Sequence, residues 1–175
     1  MKIIQTRSSQ YKIDIINLYL EAFSSGQSEQ YIDLNELNKY IDSILEHGYA
    51  LLAIENNLPI GVALICSLTL DRALPQEISE KFNTEKCLYI AEMMVTEDFR
   101  GKGIGKKLLE EFENKADRIL FKDAFIRVWI ENIPAVNLYK KMGFEVVANI
   151  EHTKIKADGS GTFVMQKIYL HKKLN

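Results

Sequence analysis

At 175 residues the chain is long enough for one well-cored domain and short for two. Apolar residues make up 47% and charged residues 26%, an ordinary globular balance, and the formal net charge of -2 argues against a nucleic-acid surface, which shows as a strongly basic one. No apolar run approaches the ~20 residues of a membrane span.

The N-terminal stretch MKIIQTRSSQYKIDII lacks the apolar core and cleavage site of a signal peptide. Cys66 and Cys87 both sit inside apolar, strand-like runs, so the expectation is a cytoplasmic protein with reduced core thiols. Residues 1–6 read as a first strand. Ser8 and Ser9 offer N-caps to a helix reaching Phe23, with Tyr11, Ile15, Leu18, Tyr19 and Ala22 on one face. Ser24-Ser25-Gly26-Gln27-Ser28 breaks it. A second helix is expected over 34–46, with Leu37, Tyr40, Ile41, Ile44 and Leu45 on its apolar side and Gly48 as its stop. Strands over 49–54 and 60–68 flank Glu55-Asn56-Asn57-Leu58-Pro59, a hairpin signature. Residues 70–85 are more polar, contain Pro75 and have room for a short helix. They read as a surface connection in preference to a flap over a site.

The organising stretch runs from Cys87 to Leu120. A buried strand over 87–95 leads into the corner Arg100-Gly101-Lys102-Gly103-Ile104-Gly105, and a helix follows. Glycines at alternate positions let backbone amides approach a ligand, because no Cβ stands in the way. The first-turn N–H groups of the helix have no intrahelical partner, and with the positive end of the macrodipole they form an anion site suited to phosphate. Lys102, Lys106 and Lys107 fit one small anionic ligand. Ile104, Leu108, Leu109, Phe112 and Ala116 form the helix's inner face. A strand over 124–130 and a helix over 134–142 come next, with Pro134 at its first turn and Gly143 at its exit. A strand over 144–150, a turn over 154–162 and a last strand over 163–170 close the chain as an antiparallel pair. The expected architecture is α/β (α+β): one domain over residues 1–175, a mixed, mostly antiparallel sheet with helices on both faces.

Common nucleotide sites do not fit the corner. A P-loop needs Gly-x-x-x-x-Gly-Lys-Ser/Thr, and here Lys106-Lys107 follow Gly105 with no hydroxyl behind them. The dinucleotide fingerprint Gly-x-Gly-x-x-Gly is absent, since Gly101, Gly103 and Gly105 are spaced by two. What does fit is Arg-x-x-Gly-x-Gly after a strand, followed about thirty residues later by Asn132-Ile133-Pro134-Ala135-Val136-Asn137-Leu138-Tyr139-Lys140-Lys141-Met142-Gly143-Phe144. The first segment resembles motif A, and the second motif B, of the GCN5-related N-acetyltransferase (GNAT) superfamily. The order of elements along nearly the whole chain agrees.

That resemblance implies acetyl-CoA as co-substrate, no metal, a small-molecule or peptide amine as acceptor, no nucleic-acid or membrane partner, and a possible homodimer. It also implies a splayed central strand pair. By the same resemblance the CoA pyrophosphate falls on the amides of Arg100, Gly101, Lys102, Gly103, Ile104, Gly105 and Lys106. The pantetheine arm pairs with backbone at Met93, Met94 and Val95, and Asn132 holds it. Asn132 also reads as a helix-capping residue. Tyr139 stands where the family places a tyrosine general acid, and a phenol near pKa 10 suits a departing thiolate. Its plain alternative is a half-buried helix tyrosine. An oxyanion would meet a backbone N–H around Met94 or Val95. Glu92 is the one carboxylate in the apolar strand LYIAEMMV, where an acid needs a reason. It reads either as the general base or as a structural or acceptor-binding group, with Glu131 and His152 as exposed-loop alternatives for the base. Some relatives place a glutamate on the next strand, twelve residues before the tyrosine; that position is Arg127 here. Phe23, Tyr31, Tyr40, Trp129 and Tyr169 are candidates to line the acceptor pocket. The acidic stretch Glu21, Glu29, Asp33 and Glu36 reads first as a solvated helix face and gives only weak support to a cationic acceptor.

Overall fold

The computed structural model describes residues 1–24 and 29–174; most of the expected helix break, residues 25–28, lies outside them. Among the described residues seven strands form one sheet in the order β1-β2-β3-β4-β5-β7-β6. The strands are β1 (Lys2–Thr6), β2 (Tyr49–Glu55), β3 (Leu58–Ser67), β4 (Cys87–Val95), β5 (Asp123–Trp129), β6 (Glu145–Ile155) and β7 (Thr162–Lys173). All neighbours run antiparallel except β4 and β5, the parallel pair that the helix between them permits. Helices α1 (Lys12–Phe23) and α2 (Leu34–His47) cover one face; α4 (Ile104–Lys115) and α5 (Ile133–Lys141) cover the other. A short helix α3 (Gln76–Lys81) sits in the β3–β4 connection and is anchored by the buried Ile78.

Burial follows from this layering. The middle of β2 and β3 is buried on both faces, as a strand between two helical layers must be. β6 at the sheet edge instead alternates exposed and partly buried residues. The two faces hold separate cores. Ile15, Ile41 and Ile44 pack against Leu52, Leu64 and Phe125 on the α1/α2 side. Leu108, Leu109 and Phe112 pack against Leu51, Ile65 and Ile126 on the α4/α5 side. Cys66 and Cys87 are buried and unpaired by disulfides, and burial pushes both thiols up to about 12.

Three local expectations are corrected. The β2–β3 hairpin is tighter than the sequence suggested: only Asn56 and Asn57 form the turn, at φ 51° and 65°. Asn tolerates the left-handed region, and two such residues in succession match the twist of the strands they join. Pro59 is accommodated near the start of β3, opposite Ile54 and beside a bulge. The last hairpin is longer than expected, because pairing continues through Lys154↔Phe163 and Ile155↔Thr162. A polar tip that reads as a loop is therefore strand, and His152 and Lys154 are held on it. Finally, residues 70–85 do more than connect: they carry Asp71 back onto the sheet.

The feature that positions the site lies in β4. Its pairing with β5 runs from Cys87↔Asp123 to Ile90↔Ile126 and stops, while its pairing with β3 continues to Gly61↔Val95. One backbone edge of residues 91–95 is therefore unpaired by β5. Register on the β3 side shifts between Leu64↔Glu92 and Ile65↔Ile90, leaving Ala91 as an extra residue. Tyr89, Ala91 and Met94 pack in the α1/α2 core, and Leu88, Ile90, Met93 and Val95 in the α4/α5 core. The bulge thus resets the alternation and turns Glu92 to the same side as Ala91, toward α1 and α2.

Candidate active site

The donor side is built from backbone. Gly101 and Gly103 adopt φ +73° and +79°, which an L side chain resists, and a Cβ at either would meet nothing within 4 Å. Gly105 is glycine for another reason: a Cβ there would lie 3.1 Å from Leu138 and 3.6 Å from Met93 Cε, so it sets how closely α4 meets α5. The N-cap of α4 is Gly103, with no capping side chain and no acid in the first turn. In α2, by contrast, Asp33 caps the amides of Asn35 and Glu36 at 2.8 and 3.1 Å. The α4 amides are thus left for an external anion.

The side chains around this corner have other partners. Arg100 donates from Nε to the Val95 carbonyl at 3.1 Å, Lys102 lies 4.7 Å over the Phe99 ring, and Lys106 pairs with Glu110 at 3.4 Å. Ile104, the first residue of α4, is 4% exposed and packs inward. Asn132 is the N-cap of α5, its Oδ1 accepting from the Ala135 amide at 3.4 Å. The capping role anticipated for it is thus present, and its side-chain amide N–H groups make no hydrogen bond among the described residues. Tyr139 is 4% exposed, and its ring lies 6.4 Å from that of Phe144. Its hydroxyl makes no hydrogen bond among the described residues. Burial, with the Glu92 carboxylate nearby, pushes that phenol above its usual range.

The opposite side of the splay opens on a cleft of about 590 Å³ between α1, α2, residues 70–73 and the sheet. Glu92 stands in its floor and accepts a hydrogen bond from the Tyr40 hydroxyl at 3.0 Å. Desolvation pushes the Glu92 carboxyl up, while Lys167, Arg127, the Tyr40 hydrogen bond and Lys154 pull it back. Arg127, in the position where some relatives carry a glutamate, is held by Asp71 at 3.0 Å and donates to the Tyr169 hydroxyl at 2.8 Å. Tyr169 in turn donates to Asp71 at 2.7 Å. His152 and Lys154 reach the cleft from β6 and Lys167 from β7.

Of the anticipated lining residues, Phe23, Tyr31 and Tyr40 face the cleft. Tyr169 lies wholly buried beneath it, and Trp129 is not among its lining residues. His152 is not on an exposed loop but on a strand, half-buried, whereas Glu131 is exposed. The acidic stretch before α2 is occupied structurally: Asp33 caps α2, Glu36 pairs with Lys39 at 2.7 Å, and Glu21 accepts from the Glu97 amide at 2.7 Å. Sequence reading passed over Lys154, Lys167, Asp71 and the role of Tyr40. Arg127 carried the same signal as Glu92, a lone charge inside an apolar strand. The others carried none, because their meeting depends on register and on the path of a connection.

Residues 12–144 match the Acetyltransferase (GNAT) family. This chain therefore belongs to that family. It is 29% identical over 132 residues to Probable N-acetyltransferase san of Drosophila melanogaster, covering 74% of this chain and 65% of that protein. It is 34% identical over 79 residues to an N-alpha-acetyltransferase of Sulfurisphaera tokodaii, covering 44% and 46%. The chain thus spans less than two thirds of the length of these two relatives. Among solved structures, the ribosomal-protein-alanine N-acetyltransferase of Brucella melitensis superposes with a TM-score of 0.75 at 17% identity, over 99% of this chain and 100% of that one. Salmonella typhimurium yncA, solved with its cofactor acetyl-CoA, superposes with a TM-score of 0.73 at 17% identity, over 100% and 95%. At those identities the likeness is one of fold.

Proposed function

We propose that the protein is an acetyl-CoA-dependent N-acetyltransferase acting on a primary amine of a small molecule or peptide, by direct attack within a ternary complex. The observation that carries this reading is the convergence at the β4–β5 splay. Glu92 comes from one face and Tyr139 from the other, close enough for the carboxylate to raise the phenol's pKa. The donor fits the residues present. The uncapped amides at 103–106, with Gly101 and Gly103 keeping the approach open, suit a pyrophosphate. The unpaired edge of Met93, Met94 and Val95 suits the amides of a pantetheine arm, and the free amide of Asn132 is a further donor to it. Acetyl-CoA supplies the activated acyl carbonyl and a thiolate leaving group.

The chain's own residues do the rest. Glu92, its pKa raised above the usual carboxylate range by burial, takes the proton of the incoming ammonium. A backbone N–H at Met94 or Val95 meets the oxyanion. Tyr139, kept protonated by its buried setting, donates to the departing sulfur. Reduced, buried Cys66 and Cys87 suit a cytoplasmic enzyme. The test is thiol release from acetyl-CoA against a panel of amines, with Glu92→Gln run across pH. The reading expects turnover with wild type and loss of the rising limb of the pH–rate profile in the variant. A rise in Tm with acetyl-CoA and no thiol release with any amine would instead identify a binding or sensing module.

A further inference from the structure

The acceptor wall of the cleft carries more positive charge than its neighbours neutralise. Register places its cations on one face of three adjoining strands. Arg127 stands opposite Tyr169, and Lys167 opposite both Trp129 and Ile150. His152 and Lys154 follow Ile150 on the same face of β6, so His152 is a diagonal neighbour of Lys167. All four side chains line the cleft. Arg127 has Asp71 as its own counterion. Lys154 and Lys167 are half-buried, and neither has an ion-pair partner within salt-bridge distance among the described residues. Of the other carboxylates lining the cleft, Asp33 caps α2 and Glu36 pairs with Lys39, which leaves Glu92, shared among Lys167, Arg127 and Lys154 and already accepting from Tyr40. Lys154, opposite Phe163, stands two same-face positions along β6 from Ile150, the partner of Lys167, and like charges on one half-buried face repel each other and lose hydration. That arrangement is relieved when an anion sits between them.

Resting on the acetyltransferase reading above, we infer that the acceptor is an amine bearing its own acid group, a carboxylate or phosphate, which seats on Lys154 and Lys167 while the amine meets Glu92. The polarity of the cleft matches such a zwitterion end to end: one carboxylate where the ammonium must lose its proton, two cations a few bonds further along β6 and β7. His152 supports the seat. Its Nδ1 is buried with no hydrogen-bond partner, and burial with the surrounding Lys154, Lys167 and Arg127 pushes its pKa down to about 4. At neutral pH it is therefore an uncharged ring in the cleft wall that does not add to the repulsion. Burial, Lys154 and Arg127 also lower Lys167 to about 8, so bringing an anion into contact should raise it again.

The test uses matched pairs that differ in the acid alone: alanine against alaninamide, phosphoethanolamine against ethanolamine, and the amidated dipeptides Ala-Asp and Ala-Asn. Thiol release from acetyl-CoA is followed for each, and in parallel the Tm of the CoA-loaded full chain is measured with each compound. At least one acidic member should exceed its neutral twin about tenfold in kcat/KM. Lys154→Gln and Lys167→Gln should erase that advantage through KM, weakening the acidic member about tenfold more than its neutral twin, and Lys167→Arg should restore it. The three pairs distinguish a free amino acid, a phosphorylated amine and an acidic peptide end. Neutral twins turned over as well as acidic ones, or lysine variants that weaken both members equally, overturn the anion seat and leave the acetyltransferase reading standing. Acid-dependent stabilisation that needs Lys154 and Lys167, without thiol release from any amine, keeps the seat and overturns the catalytic reading.

Discussion

The donor side of the β4–β5 splay is made mainly of backbone, and the acceptor side of charged side chains. On the proposed donor side the groups on offer are the amides of α4's first turn and the edge of β4, while Arg100, Lys102 and Lys106 are turned to Val95, Phe99 and Glu110. On the acceptor side Glu92, Arg127, Lys154 and Lys167 converge from four strands, with Asp71 and Tyr40 brought in from a connection and a helix. Backbone recognition suits a ligand part that does not vary, since an amide cradle cannot be retuned by one substitution. Side-chain recognition can be changed residue by residue, and it belongs where acceptors differ.

The comparison can be broken by substitution. The largest effect is expected from Tyr139→Phe, which keeps the buried ring and removes one proton. On the present reading kcat falls about 10²- to 10³-fold while the Kd of acetyl-CoA, measured by titration, stays the same. Arg127→Met should act on folding, because it leaves Asp71, whose side chain is 4% exposed, without its cation. A loss of about 3 kcal/mol, roughly 10 °C in Tm, is expected by thermal melting, and adding Asp71→Asn should recover part of it. Gly103→Ala forces a left-handed φ on a residue with a Cβ and should cost about 1 kcal/mol, with weaker acetyl-CoA binding. Gly105→Ala should cost stability through the contact with Leu138 and leave donor binding closer to normal. A pair of glycine variants with the same binding defect would contradict the division of roles between them.

The smallest effect is a pH dependence of stability. His152 has a folded pKa of about 4, below its ordinary 6.5, with Lys154, Lys167 and Arg127 facing it and Asp71 opposing them. Between pH 6.5 and 4 the unfolded chain takes up a proton that the folded one refuses, so stability falls as pH drops through that window and is complete above it. Allowing for the partial exposure of the ring, the loss is about 1 kcal/mol, or roughly 3 °C in Tm. His152→Gln should flatten that part of the Tm–pH curve.

What was legible in the sequence follows the same division. The glycine corner, the apolar face of α4, Asn132 at the start of α5 and Tyr139 within it are all local patterns, and each stands where it was expected. Glu92 was conspicuous as a carboxylate in an apolar strand, yet its direction was not readable. Without the bulge at Ala91, period-two alternation would aim it at α4. The tip of the last hairpin was read as a turn because it is polar, which concealed Lys154 and left His152 expected on an exposed loop. Trp129, expected at the cleft because it stands near the end of β5, lies outside the cleft lining, whereas Asp71 was hidden in a segment that reads as a plain connection.

The sequence by itself determined the family, the mixed sheet with helices on both faces and the glycine-rich corner at the start of α4. Those depend on glycine spacing, helix periodicity and short-range order along the chain. Only the tertiary structure decided which way Glu92 points, that Arg127 is held by Asp71 and Tyr169, and that Lys154 and Lys167 share one wall. One inserted residue in β4, the register of β6 on β7 and the path of residues 70–85 bring those groups together, and each pairs positions far apart in the chain.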